Sequence, residues 1–259
     1  LARGLIELGG RHVDEASPLV DAHLGGGLRV HVVLPPVSTL GPEVSIRIQR
    51  HHTPGLDQLS IENASEVIPR LIDAVVARQT LLISGSTGSG KTTLLGALMA
   101  HAGPQERLVV LEDVAELRLD HPHVVSLECR QANMEGAGEI TLSRLVRESL
   151  RMRPDRLILG EARGSEITDV VQAFHTGHRG GGTTVHAQAL SQVALRLDSL
   201  AALAGLSSQQ FARHALGAFD LVIHVDRVGP SRRRLSFGRL TRTKKGELDV
   251  VVEEPHTAH

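Results

Sequence analysis

The chain has 259 residues, 41% of them hydrophobic, with a formal net charge of −1 and a pI of about 7.0. The length suits one large domain or two smaller ones, and the neutral balance supplies no basic excess for general binding to nucleic-acid phosphates. Aromatic residues make up 2%, four Phe with no Trp or Tyr, so the core is aliphatic and platforms for stacking single-stranded bases are nearly lacking.

From the start to about residue 50 the pattern is β-rich. Apolar runs at 19–24 and 28–34 flank Gly25-Gly26-Gly27, a hairpin signal. Residues 44–50 alternate apolar and polar, as a half-buried strand does. Such a short piece buries too little surface to be robust alone. His51-His52-Thr53-Pro54-Gly55 reads as a linker. The expected division is a partial β-rich domain over 1–52, a linker over 53–62 and a larger domain over 63–259.

Strands then alternate with helices, which implies a parallel sheet. Helix is expected over 66–78, with Pro69 early in it, and a buried strand over 80–84. The next segment, Gly85-Ser86-Thr87-Gly88-Ser89-Gly90-Lys91-Thr92-Thr93, fits the phosphate-binding pattern G-x-x-x-x-G-K-[ST] in full. It is followed by a helical run over 94–100, so both flanks are those the motif requires. Its glycines let the backbone wrap a phosphate chain, and its amides and the following helix N-terminus present positive charge. Lys91 would reach the β- and γ-phosphates, and the Thr92 hydroxyl would coordinate Mg2+.

Strands follow at 108–112, 124–128 and 156–160, with a helix over 142–152 whose Leu142, Leu145, Val146 and Leu150 share a face. A helix over 167–174, a strand over 183–185 and two helices between 191 and 219 come next. A strand follows at 221–225, and strands at 235–240 and 248–252 read as an antiparallel meander, split by a Lys244-Lys245-Gly246-Glu247 turn. Ser231-Arg232-Arg233-Arg234 reads as a solvated basic turn.

Hydrolysis of a nucleotide needs a carboxylate for the metal or its waters and a group that orients the attacking water. Two strands end in acids, where doubly wound sheets place their ligands: Leu111-Glu112-Asp113-Val114-Ala115-Glu116, and Leu157-Ile158-Leu159-Gly160-Glu161. Taken alone, the second is equally a surface acid after a core strand. Cys129, the single cysteine, excludes an internal disulfide and, with 15 histidines scattered along the chain, leaves no convincing metal-ligand set. His51, His52, His121 and His123 read as ordinary residues. No apolar run approaches the ~18 residues that span a bilayer.

In order and spacing, the phosphate loop, the segment 111–116, the segment 151–164 and Thr176-Gly177-His178-Arg179-Gly180-Gly181-Gly182-Thr183-Thr184-Val185-His186-Ala187 resemble the Walker A, Asp-box, Walker B and His-box motifs of the type II/type IV secretion ATPases. The Flp/Tad pilus-assembly branch is the most similar. The resemblance covers essentially the whole chain. It implies an α/β fold with a RecA-like P-loop core, a mainly parallel sheet and a small β-rich N-terminal region. It also implies ATP and Mg2+ as ligands, a homohexameric ring and an inner-membrane platform protein as partner. Localisation is then cytoplasmic, peripheral at the inner face of the membrane, with no nucleic-acid partner. By position, Glu116 would activate or orient water, supported by Glu112 and Asp113. Glu161 would act on the Mg2+ shell, and His186 would sense the γ-phosphate, with His178 in the same box. Arg29 and Arg47 are the arginine-finger candidates, each equally readable as a solvent-facing strand residue, and Arg153 and Arg163 are further ones. Two residues depart from the family pattern: Arg179 stands where an acid is usual, and Gly182 where a bulky apolar residue is usual. Both bear on the packing of the His box. A RecA-like nucleic-acid translocase and a nucleotide-gated scaffold with little hydrolysis are the competing readings.

Overall fold

The structure, a computed structural model, describes residues 1–25, 27–48, 53–130, 132, 137–229 and 231–253. The chain divides into two compact units, Leu1–His52 and Thr53–His259, each described by itself below.

The first unit has a short helix α1 (Ala2–Leu8) and an antiparallel sheet in the order β1 (Leu19–His23), β2 (Leu28–Val33), β3 (Glu43–Ile48). The expected hairpin pairs Leu19 with Val33 and His23 with Arg29. Gly25 and Gly27 both take φ of 77° at its turn. Ile6, Val13, Val20, Ala22, Val30, Val32 and Leu34 form its core. Helix α1 escapes the sequence reading because seven residues with one buried position, Ile6, carry no period. Strand β3 is a correction: it is not half-buried. Ile46 and Ile48 are 55% and 72% exposed, since α1 packs over β1 and β2 and β3 lies at the edge of the sheet. The remainder of the expected strand, and His51 and His52 of the expected linker, lie outside the described residues.

In the second unit, residues 53–62 are not a free connector. A 3-10 turn at Leu56–Gln58 leads into Leu59 and Ile61, and Leu56, Leu59 and Ile61 are all buried. Pro54-Gly55 marks a bend, but three apolar side chains within six residues fill the core beyond it. The eight-stranded sheet runs β11-β10-β9-β4-β8-β7-β5-β6. Here β4 is Leu81–Gly85, β5 Leu108–Glu112, β6 Val124–Glu128, β7 Arg156–Leu159 and β8 Gly182–His186. Strands β9 (Leu221–Val228), β10 (Arg232–Arg242) and β11 (Leu248–Glu253) complete it. The pairs from β9 through β4, β8, β7 and β5 to β6 are parallel, while β10 and β11 pair antiparallel as expected and β9 also pairs antiparallel with β10.

The central strands are apolar at nearly every position because both faces are covered. Leu82, Val109, Leu111, Leu157, Leu159 and Val185 enter one core, with helices α4 (Leu142–Ser149), α5 (Glu166–His175), α6 (Val193–Leu203) and α7 (Ser208–Ala218). Leu81, Ile83, Leu108, Val110 and Ile158 enter the other, with α2 (Ala64–Val76) and α3 (Lys91–Met99). At the N-terminal end of the sheet Arg156 is 1% exposed and fully satisfied. It makes a two-pronged pair with Glu106 at 2.6 and 2.8 Å and donates to Val75 O and Gly180 O. Among the described residues no helix is long and apolar enough to cross a membrane.

Candidate active site at the C-terminal edge of the sheet

Parallel strands all point their C-terminal ends to one edge, and side chains just beyond those ends converge there. Strand β4 ends at Gly85 and α3 starts at Lys91, so the phosphate-binding segment is the connection between them. Gly85, Gly88 and Gly90 have φ of 154°, 73° and 98°, where side chains are strained. A Cβ on Gly85 would also lie 2.5 Å from Val225 O and 2.6 Å from Ser89 Oγ. The loop closes with Ser89 N donating to Ser86 O at 3.2 Å. Lys91 is 7% exposed and folds back to donate to Ser86 O at 3.0 Å. Burial holds its ammonium below the ordinary value, opposed by nearby Glu161 and reinforced by Arg163. Thr92 and Thr93 follow, half-buried, in the first turn of α3. The Ser89 hydroxyl is buried with no hydrogen-bond partner among the described residues.

The carboxylates come from the neighbouring strand ends. Glu112, at the tip of β5, is buried and turns to its own following loop. It accepts from Glu116 N and from Leu117 N, each at 3.1 Å. Burial pushes this carboxyl up to about 7, against the pull of those two amides. Gly160 leaves it room, since a Cβ there would lie 2.8 Å from Glu112 Cγ. Glu112 therefore fixes the loop that carries Glu116, which is itself half-buried, while Asp113 is exposed.

Beyond β7, Glu161 Oε2 accepts two bonds from the Arg163 guanidinium, at 2.9 and 2.7 Å. That pair, together with the charges of Asp113 and Glu116, raises the Arg163 pKa despite partial burial. Glu166 shapes the same turn by accepting from Arg163 N and Gly164 N at 2.6 and 2.7 Å. Arg163 thus lies among the acids, whereas Arg153, in the turn before β7, lies at the opposite end of that strand.

On β8, His186 pairs in register with Gly85, and its Nδ1 lies 3.4 Å from Thr87 Oγ1 of the loop. His178 and Arg179 precede β8 and lie at its other end. His178 N donates to Ala173 O. Arg179 pairs with Asp220, whose other oxygen accepts from Thr80 N at 2.7 Å. The basic residue therefore closes a link between strands at the far end of the sheet. At Gly182 a Cβ would stand 2.7 Å from Leu81 O, and at Gly181 one would stand 1.8 Å from Leu157 O, so this chain has no space there for a bulky side chain.

Arg29 and Arg47 belong to the N-terminal unit. They are directly paired across β2 and β3, and Arg29 Nε donates to Asp21 at 3.3 Å. Burial raises the Asp21 carboxyl, but Arg29 and His31 outweigh it and hold it below its ordinary value.

One residue that the sequence reading assigned to a solvated turn stands at the site. Arg233, on β10, donates from Nε to Ser89 O of the loop at 3.2 Å. It shares a strand face with Leu235 and Phe237, which pack into the core beside α2 and α3. That period-two pattern is the signal that could have found it.

Among the described residues no three His, Cys, Asp or Glu side chains converge to hold a metal unaided. The edge offers the Thr92 hydroxyl and the Glu161 carboxylate, a sparse oxygen set that fits an ion keeping most of its waters and sharing phosphate oxygens.

A family model described as "Type II/IV secretion system protein" matches residues 7–223. A Mycobacterium tuberculosis (strain H37Rv) protein provisionally named for conjugal transfer is 42% identical over 259 residues, covering 97% of this chain and 74% of that protein. The conjugal transfer protein TrbB of Rhizobium radiobacter is 36% identical over 230 residues, covering 85% and 67%. The crystal structure of the VirB11 ATPase from the Brucella suis type IV secretion system superposes with a TM-score of 0.59 at 27% identity, over 91% of this chain and 77% of that one. The match over most of the chain, with relatives above 30% identity along nearly its full length, makes this chain a member of the Type II/IV secretion system protein family.

Proposed function

We propose that this chain is an ATP-hydrolysing motor subunit that powers protein secretion or pilus assembly, working as a homohexameric ring on an inner-membrane platform protein at the cytoplasmic face. The observation that carries the reading is the meeting of one phosphate loop with acids from two neighbouring strand ends on a single sheet edge. In this account the loop amides and Lys91 bind the β- and γ-phosphates, and Lys91 exchanges its bond to Ser86 O for a phosphate oxygen. Thr92 and Glu161 would hold Mg2+, which supplies charge neutralisation on the transferring phosphoryl group when bound. Glu161 must then leave Arg163. Glu116 orients the attacking water, and Glu112 keeps the Glu116 loop in place by its bonds to that loop's amides. His186, 3.4 Å from Thr87, couples the state of the loop to β8. Arg29 and Arg47 act as arginine fingers on a neighbouring subunit's nucleotide, which makes turnover depend on assembly.

The family membership supports ATP as substrate. The net charge of −1 supports a protein partner over a nucleic acid. The test is Mg2+-dependent phosphate release over a range of protein concentrations. Specific activity should rise with concentration and be lost in Lys91→Ala and Glu116→Gln. Wild-type turnover in Glu116→Gln would overturn the assignment of the water-orienting acid, and no release at any concentration would leave a nucleotide-gated scaffold in its place.

A further inference from the structure

Arg233 stands on the flank of the phosphate loop away from the acids. In the sheet, β9 and β10 lie on one side of β4, while β8, β7 and β5, with His186, Glu161 and Glu112, lie on the other. The Arg233 guanidinium rests against the α-carbon of Gly90, the residue that caps α3. A Cβ there would lie 2.7 Å from Nε and 3.1 Å from Nη2.

The backbone of Arg233 is held by the ordered 53–62 segment. Arg233 N donates to Ser60 O and Glu62 N donates to Arg233 O, both at 2.8 Å. Glu62, the acid in that segment nearest the hairpin, is engaged by Arg234 at 2.7 Å. Arg233 thus uses Nε on Ser89 O, and its two terminal nitrogens have no hydrogen-bond partner among the described residues. The Arg233 guanidinium, beside the N-cap residue Gly90, and the buried Lys91 ammonium thus both belong to the N-terminal end of a nine-residue helix, the end that favours an anion. The unpartnered, 1% exposed Ser89 hydroxyl in the same loop is a second polar group lacking its complement.

We propose that Arg233 is a nucleotide-binding residue that contacts the α-phosphate and nucleoside end of the bound nucleotide. The inference rests on the reading of the loop as a nucleotide site. The γ-phosphate must face Glu161 and Glu116 on the β7 and β5 flank. The phosphate chain then crosses the loop, and its α end emerges on the β9 and β10 flank, where two free guanidinium donors meet it.

The experiment is calorimetric titration of the full chain with ADP and, separately, with inorganic pyrophosphate, in wild type, Arg233→Ala and Arg233→Lys. Loss of a charge-assisted hydrogen bond should weaken ADP binding in Arg233→Ala by about tenfold or more. Pyrophosphate, which needs only the cradle and Lys91, should bind within about twofold of wild type. Arg233→Lys keeps the charge without the fork and should fall between the two for ADP with pyrophosphate unchanged, which serves also if the alanine variant melts early. Equal losses for both ligands would mean that Arg233 only shapes the loop, and no loss for either would mean that it touches no nucleotide; either result overturns the proposal. A wild-type chain that binds neither ligand overturns the parent reading, and this inference with it.

Discussion

Glu112 gives the sharpest quantitative expectation. It is 4% exposed, accepts from Glu116 N and Leu117 N, and burial moves its carboxyl from an ordinary 4.5 to about 7. An acid with a folded pKa above its unfolded one keeps a proton in the folded chain that the unfolded chain has already lost. Between pH 4.5 and about 7 stability therefore falls as pH rises, and outside that window this group adds no slope. At 1.36 kcal/mol per pKa unit the whole effect is about 3 kcal/mol, or about 6–12 °C in melting temperature for a unit of this size. Glu112→Gln keeps an acceptor for the loop amides and removes the titration. Thermal melts of both proteins from pH 4.5 to 8 measure it. The stability of wild type relative to the variant should decline across the window by about the stated amount. Parallel curves would refute the argument, because they would mean that the carboxyl titrates alike in the folded and unfolded chains.

Arg156→Ala should cost about 2–5 kcal/mol in urea denaturation, since it leaves the carbonyls of Val75 and Gly180 without their donor around a buried void and reduces Glu106 to its bonds from Arg78 and Gly103 N. A loss below about 1 kcal/mol would mean that water replaces the guanidinium. Glu106 titrates in the opposite sense to Glu112: the Arg156 hydrogen bonds hold it below its ordinary 4.5. The wild type should therefore lose this contribution as pH drops through the depressed value, measured as acid-induced unfolding that Arg156→Ala shows less steeply. Gly181→Ala places a Cβ 1.8 Å from Leu157 O and should lower stability by at least 1–3 kcal/mol; a melting temperature equal to wild type would contradict the backbone approach of β8 to β7.

The parts of the site that are local in sequence are the parts that were legible there. The phosphate loop declares itself by glycine spacing between an apolar strand and a helix. Glu112 and Glu161 declare themselves as acids that stop aliphatic runs. Their division of labour is not local. That Glu112 serves the backbone of 116–117 while Glu161 meets Arg163 depends on how the chain turns after β5 and β7. Arg233 is more distant still: its place at Ser89 requires knowing that β10 lies two strands from β4. In sequence it is the middle of three arginines, which look alike until strand alternation separates them. The 53–62 segment misled for a related reason. Pro54-Gly55 signals a bend, and nothing local says that Leu56, Leu59 and Ile61 have a core to enter. Arg179, a departure from the family pattern, acquires meaning only through Asp220, 41 residues away.

The most direct test of the central claim is calorimetric titration of Mg·ATP into the folded chain and into Lys91→Ala. One saturable site per chain in the wild type, with binding weakened at least tenfold in Lys91→Ala, is the predicted result. A folded wild type that takes up no Mg·ATP, or a variant that binds it as tightly as wild type, would contradict the account.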